Sequence, residues 1–281
     1  MPSPDEPGGD MTAPNPVKAL FDGVAERYDN PHMRYFPAAA ARLVQHLAPR
    51  PGDRILDVAT GTGHVALAAA RAVQPDGCVQ AIDLSPRMLD RAFINLQRAG
   101  LSNVDLHEMD AAQLAFAGGA FDALTCSFGL FFLPDMRTAL REWRRVLRPG
   151  GRLLLTSFTH NAFMPLAARF LDRLAAFGVD THEERWRRLA EPAECEDLLQ
   201  TAGFTDVQIT TEQLGFHLDG PEEWWAIVQS SGYRGLLDAL DEDARTPFRE
   251  QHQAELRVLE TDQGLWLNVE TLFIAARRPA D

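Results

Sequence analysis

The stretch ILDVATGTGHVALAAA, residues 55 to 70, constrains the fold more than any other part of this chain. An apolar run breaks into two glycines and passes at once into an alanine-rich helical pattern. That is the strand–turn–helix of a parallel α/β sheet, where glycine lets the backbone close on a ligand at a helix N-terminus. From Gly61 the residues read G-T-G-H-V-A, which fits the G-x-G-x-x-G/A pattern of dinucleotide-binding folds. The turn alone leaves two ligands open: the pyrophosphate of NAD or FAD, or a different molecule carrying adenosine.

The surrounding sequence repeats the same unit. Strand-like runs RILDVA (54–59), CVQAID (78–83), VDLHEMD (104–110), FDALTCSF (121–128) and RLLLTSF (152–158) alternate with helical patterns near 64–73, 86–99 and 135–148. Such alternation predicts a parallel sheet covered by helices on both faces. Ser85 before Pro86 reads as an N-cap with proline at the first helical position, Gly100 closes that helix, and RPGG at 148–151 closes the next. FTDVQITTEQL (204–214) and VETLFIAARR (269–278) supply two further strands. Upstream, VKALFDGVAERYD and AAAARLVQHL read as amphipathic helices, with Leu20, Phe21, Val24 and Tyr28 forming one stripe. The expectation is a Rossmann-like seven-stranded sheet with a mostly helical lid. A disordered leader covers 1–16, N-terminal lid helices 17–50, and the cofactor-binding core 51–158. The end of the core follows at 159–281, with lid segments inserted at about 159–192 and 216–262.

Composition narrows the function. Hydrophobic residues make up 46% and charged residues 24%, ordinary for a globular protein, and no apolar run is long enough to span a membrane. The formal charge of −13 repels nucleic acid, and the two basic clusters, REWRRVLR (141–148) and RWRRL (185–189), read as solvated helix faces. Cys78, Cys126 and Cys195 are scattered and odd in number, so they form neither a disulfide framework nor a metal site and fit the reducing cytoplasm. No metal is expected. A homodimer and a monomer are both compatible with the sequence.

Asp57 discriminates between the two ligands. It sits four residues before Gly61, where a carboxylate repels a pyrophosphate but attracts an ammonium or a sulfonium. S-Adenosylmethionine carries both. Asp83 lies twenty residues beyond Gly63 at the end of the second strand, placed to accept ribose hydroxyls of either ligand. Met88, one helical turn on, reads equally as an adenine platform or as core. Asp110 reads as an acceptor for the adenine amino group or as a turn aspartate.

In order and spacing, FDGVAERYD, ILDVATGTGHVA, AIDLSPRML, MDAAQLAF, FDALTCSFGLFFLPD and RRVLRPGGRLLLTSF resemble the class I S-adenosylmethionine-dependent methyltransferases. The resemblance is to the ubiquinone/menaquinone-biosynthesis type and covers roughly residues 17–158. It implies that Asp57, the backbone of Ala59, Gly61 and Gly63, and the hydroxyls of Thr60 and Thr62 hold the methionine part. By the same likeness Asp83 and Leu84 hold the ribose, Met88 the adenine face, and Asp110 with Ala111 the adenine edge. Ser127 then lies beside the sulfonium and Tyr28 closes over the cofactor. Many members carry glycine where this chain has Ala59 or Thr60.

Methyl transfer needs a base only when the acceptor must lose a proton. His160, directly after the fifth strand, is the first candidate and His32 the second, with His64 and His217 also near strand exits or lid segments. The acceptor pocket is expected to draw on Tyr35, Phe131, Phe158, Trp186, His217, Trp225 and Tyr233, an aromatic set suited to a quinone, phenol or polyketide methylated at oxygen or carbon. The SFGLFF stretch lacks the D/N-P-P-Y/F signature of DNA amino-methylating enzymes, and Cys126 reads as an inert core thiol. Two rivals remain: a protein that keeps fold and cofactor for a non-methylating reaction, and a nicotinamide-dependent oxidoreductase, for which no Tyr-x-x-x-Lys pair is present.

Overall fold

The computed structural model describes residues 15–181 and 185–280, the side chains of Arg185 and Trp186 excepted. Most of the expected leader lies outside the described residues. Helix α1 (Pro16–Tyr28) begins where Asn15 accepts the Val17 and Lys18 amides at 2.9 and 3.3 Å, one residue earlier than predicted. Helix α2 (Tyr35–Leu47) leads into the alternating core. There β1 (Arg54–Val58), α3 (His64–Ala72), β2 (Cys78–Asp83), α4 (Pro86–Arg98), β3 (Val104–Glu108), β4 (Phe121–Ser127), α5 (Met136–Val146) and β5 (Leu147–Phe158) follow in turn. Ser85 caps α4 through the Met88 amide at 3.1 Å, as its position before Pro86 predicts. The third strand stops short of the predicted 110 because the Asp110 carboxylate accepts the Ala112 amide and turns the chain.

The remainder comprises α6 (Leu166–Ala176), α7 (Pro192–Thr201), β6 (Thr205–Gln213), β7 (Phe216–Leu218), α8 (Pro221–Ser230), α9 (Arg234–Asp238), α10 (Glu242–Arg257), β8 (Leu265–Leu267) and β9 (Glu270–Arg277). The main sheet has seven strands in the order β3-β2-β1-β4-β5-β9-β6, and β9 alone runs antiparallel to its neighbours. β7 and β8 form a separate two-stranded ribbon.

Strand alternation divides the core into two layers. Ile55 of β1 joins Leu43, Val65, Ala69 and Leu96 of α2, α3 and α4, whereas its neighbours Leu56 and Val58 join Trp143, Val146 and Leu199 of α5 and α7. Both faces are therefore covered, as a parallel sheet requires. The strand order reverses between β1 and β4, which opens a crevice at their carboxyl ends, the usual ligand position in such sheets. The late segments bring helices to that end. α1 packs on α4, α8 and α9, and α6 packs on α10. Inside this helical layer the Trp224 indole donates to Nε2 of His252 at 2.9 Å, and burial holds His252 down to about 4, so it accepts as the neutral ring.

Gly63 ends the glycine turn at φ +90°, and a Cβ there would lie 3.2 Å from Cβ of Ala92 on α4. Gly63→Ala therefore combines backbone strain with a tight contact, and we expect it to lower the free energy of unfolding by about 2 kcal/mol in urea titrations.

Candidate functional site

Strand β1 runs straight into a turn whose backbone is left-handed at three positions: Ala59 (φ +54°), Gly61 (+56°) and Gly63 (+90°). At Ala59 an L-residue bears a cost of about 1–2 kcal/mol that glycine would not. The loop leaving β4 presses on this turn, for a Cβ on Gly129 would lie 2.7 Å from Cβ of Ala59 and 2.8 Å from the Cys126 sulfur. Two aspartates fix the turn from beneath. Asp57 is fully buried and accepts the hydroxyls of Thr60 at 2.6 Å and Thr125 at 2.7 Å. Asp83 accepts the Gly61 amide at 2.8 Å and the Ser85 amide at 2.9 Å.

Neither carboxyl has a cationic partner among the described residues. Burial pushes Asp57 up to about 6, only partly offset by its two hydroxyl donors, and burial also raises Asp83. A pair of desolvated acids facing a cleft is arranged to receive positive charge.

Three hollows converge here. The first, about 100 Å³, lies between Asp83, Leu84 and Met88 on one wall, Asp110 and Ala111 on another, and Ser127 with Phe128 at the β4 exit. The second, about 40 Å³, lies over Asp57, Thr60, Thr62 and His64. The third, about 370 Å³, is aromatic and apolar, lined by Tyr35, Phe131, Phe158, Phe163, Tyr233 and Leu236 among others. Helix α1 roofs the first and third through Val17, Phe21 and Tyr28, and Tyr28 borders all three. Polar pins hold that roof. Lys18 bonds to the Leu84 carbonyl at 3.1 Å and pairs with Glu108, and Asp22 accepts the Ser85 hydroxyl at 2.6 Å. Asp29 accepts from Thr62 and, at 2.7 Å, from Asn95.

Every residue expected to hold cofactor lines the first or second hollow except Gly63, which shapes the turn against α4. Met88 is both core and wall, buried against Val24 and Ala25 while bordering the first hollow. Asp110 likewise borders the hollow and serves as a turn acceptor. Of the expected acceptor residues, Tyr35, Phe131, Phe158 and Tyr233 line the third hollow. The Trp186 side chain lies outside the described residues.

Four expectations are corrected. His160 is exposed and turns toward Glu191 at 3.4 Å, because Thr159 anchors the strand exit to Glu270 and directs the next residue outward. His32 sits 3.0 Å from Glu223 of α8, away from the hollows. His217 belongs to the β7–β8 ribbon and packs edge-on against Trp266. Trp225 faces Phe248 and Arg249 on the far side of α8, lining a separate groove. Among the described residues, no histidine lines the aromatic hollow. Sequence reasoning passed over Phe36 and Phe128, both lining residues. Phe128 has φ +54°, rare for a bulky side chain, and no local sequence signal announces it. Cys126 is buried with its thiol pushed well above the usual range by desolvation, which matches the inert core reading.

A family model described as the ubiE/COQ5 methyltransferase family matches residues 10–217. Nocamycin O-methyltransferase of Saccharothrix syringae is 31% identical over 275 residues, covering 93% of this chain and 98% of that protein. The aklanonic acid methyltransferase DauC of Streptomyces sp. (strain C5) is 33% identical over 61% of this chain and 79% of its own length. Demethylmenaquinone methyltransferase of Geobacillus kaustophilus is 32% identical over 71% of this chain and 92% of its own. Among solved structures, the [4+2]-cyclase SpnF superposes with a TM-score of 0.60 at 21% identity, covering 94% of this chain and 96% of that one. YcgJ of Bacillus subtilis gives 0.59 at 21% identity over 86% and 99%.

The raised carboxyl of Asp57 makes a stability prediction for the ligand-free protein. Folding raises it from an ordinary 3.8 to about 6, so the folded state keeps a proton that the unfolded chain releases. Its contribution is complete below the unfolded value and is lost as pH rises through 6, amounting to about 3 kcal/mol. Relative to Asp57→Asn, the parent protein should therefore lose stability between pH 4 and pH 7 in urea unfolding. A difference that stays flat across that range would contradict the assignment.

Proposed function

The chain belongs to the ubiE/COQ5 methyltransferase family and is an S-adenosylmethionine-dependent methyltransferase; from that premise we propose that it methylates oxygen or carbon of a small aromatic, quinone or polyketide-like acceptor. The observation that carries the acceptor class is the aromatic hollow of about 370 Å³, which shares Phe21, Tyr28, Phe128 and Phe132 with the hollow beside Asp83. A flat, lipophilic molecule is the occupant such a wall selects. Relatives named for aklanonic acid, 2-phytyl-1,4-naphtoquinone and demethylmenaquinone support the same class.

The bound cofactor supplies the electrophilic methyl on a positively charged sulfur, and the chain supplies position and surroundings. Asp57 offers the ammonium group a buried carboxylate already oriented by Thr60 and Thr125. Asp83 keeps lone pairs for the ribose hydroxyls while its amide bonds hold Gly61 and Ser85. Leu84 and Met88 flank the adenine, Asp110 and the Ala111 backbone meet its edge, and Ser127 stands where the two smaller hollows join. Helix α1 and the late helices act as the lid that excludes water. Of the candidate histidines only His64 borders a hollow, the one over Asp57, and none lines the aromatic one, so an acceptor that starts protonated meets no histidine base there.

Cytoplasmic residence is part of the same reading. Cys78, Cys126 and Cys195 are all free, and no described helix is long and apolar enough to cross a membrane.

Calorimetric titration with S-adenosylmethionine, S-adenosylhomocysteine and NADH tests the cofactor half. We expect micromolar binding of the two adenosyl ligands, weakened about 10- to 100-fold in Asp83→Ala, and no NADH heat. Labelled methyl should then pass to members of a panel of hydroxynaphthoquinones, phenolic polyketides and polyketide acids. Cofactor binding with no methyl transfer to any of them would overturn the proposed acceptor class.

A further inference from the structure

Four rings cluster beside the three hollows, and three of them border more than one. Tyr28 stacks on Phe36 with centroids 4.9 Å apart and planes 16° from parallel. Phe128 stacks on Phe158 at 4.1 Å and 11°. The two stacks touch through Phe36 and Phe128, 5.7 Å apart and tilted by 60°. Their positions are specific. Tyr28 borders all three hollows, Phe128 borders the one beside Asp83 and the aromatic one, and Phe36 borders the one over Asp57 and the aromatic one. A methyl group passing from cofactor to acceptor has to cross this junction.

The backbone bears a conformational cost to put one of these rings there. Phe128 lies at φ +54° and is held by its amide, which donates to the carbonyl and the hydroxyl of Thr156, each at 3.2 Å. Packing alone does not call for a strained phenylalanine, since an aliphatic side chain in relaxed backbone fills a core as well. Aromatic faces differ from aliphatic surface in one respect: their quadrupole attracts a cation.

We infer that Tyr28 and Phe128, the two rings of this cluster that border both the hollow beside Asp83 and the aromatic one, form an open aromatic cage that recognises the positive charge of the cofactor's sulfonium, each backed on its other face by a stacked ring, Phe36 and Phe158. The inference rests on the S-adenosylmethionine reading of the site. Transfer of the methyl group moves the sulfur's bonding pair back onto sulfur, converting a cation into a neutral thioether. The cage therefore holds the methyl donor more strongly than the spent product and favours product release. Phe128 is a positioning and charge-recognising residue here, and Asp57 acts on the other end of the same ligand.

Fluorination tests this without altering shape. Position 128 is filled with 4-fluoro-, 3,5-difluoro- and 3,4,5-trifluorophenylalanine, which progressively remove the negative face of the ring, and each protein is titrated with S-adenosylmethionine and S-adenosylhomocysteine. Affinity for S-adenosylmethionine should fall stepwise, reaching about 5- to 30-fold, while affinity for S-adenosylhomocysteine stays within about twofold. Phe128→Leu should lower the ratio of the two affinities by a similar factor. Parallel losses for both ligands would reduce Phe128 to a packing residue and overturn the cage, as would no loss for either. Failure of the parent protein to bind either ligand would instead overturn the cofactor reading beneath it.

Discussion

The Gly61 amide pointing at the Asp83 carboxylate, 2.8 Å away, joins the two strand ends on which the site depends. Asp83 closes β2, Gly61 lies in the turn after β1, and the bond fixes the spacing of the crevice between them. A second amide, from Ser85, locks the same carboxylate and starts α4 at a defined point. Because α4 carries Met88 and Ala92, the bond also sets the floor beneath α1 and the wall against Gly63. One buried acid thus determines where a turn, a helix and a roof stand relative to each other. Its desolvation cost is left uncompensated by any described cation, which suits a site completed by a charged ligand.

Polar anchoring and apolar enclosure divide the labour along α1. Lys18, Asp22 and Asp29 fasten the helix to the core through Leu84, Glu108, Ser85, Thr62 and Asn95. Between those pins, Val17, Phe21 and Tyr28 present the surface that closes the hollows. The helix is held by directional bonds at points and packed by non-directional contacts elsewhere. Of these pins only the Lys18–Glu108 pair is exposed; the others are part-buried and hold the helix where it covers the hollows.

The amino-acid sequence reveals the half of the molecule governed by local rules. Ser85 before Pro86, the glycines after β1 and the alternation of Ile55 with Leu56 and Val58 each follow from capping, turn and strand chemistry acting over a few residues. Asp57 and Asp83 are legible for the same reason, as acids at strand ends, and Asp110 as the acid of the turn after β3. His160, His217 and Trp225 misled because their surroundings are set by distant partners: Glu270 through Thr159, the β8 strand, and Phe248 on α10. Phe128 was invisible for another reason. Its left-handed backbone is imposed by Thr156 on β5 and by the close passage of Gly129 over Ala59, not by its own neighbours in sequence.

The aromatic hollow differs from the other two in construction as well as in chemistry. The hollows beside Asp83 and over Asp57 are built from α1, the exits of β1, β2, β3 and β4, and the first turns of the helices that follow β1 and β2, with Phe36 and Ala40 of α2. The aromatic hollow borrows Phe163 from the segment after β5, and Ser231, Gly232, Tyr233, Gly235 and Leu236 from the stretch between β7 and β8. Those insertions supply no strand to the seven-stranded sheet. Substitutions at Phe163, Tyr233 or Leu236 would therefore reshape the aromatic hollow while leaving untouched every residue that lines the hollows beside Asp83 and over Asp57.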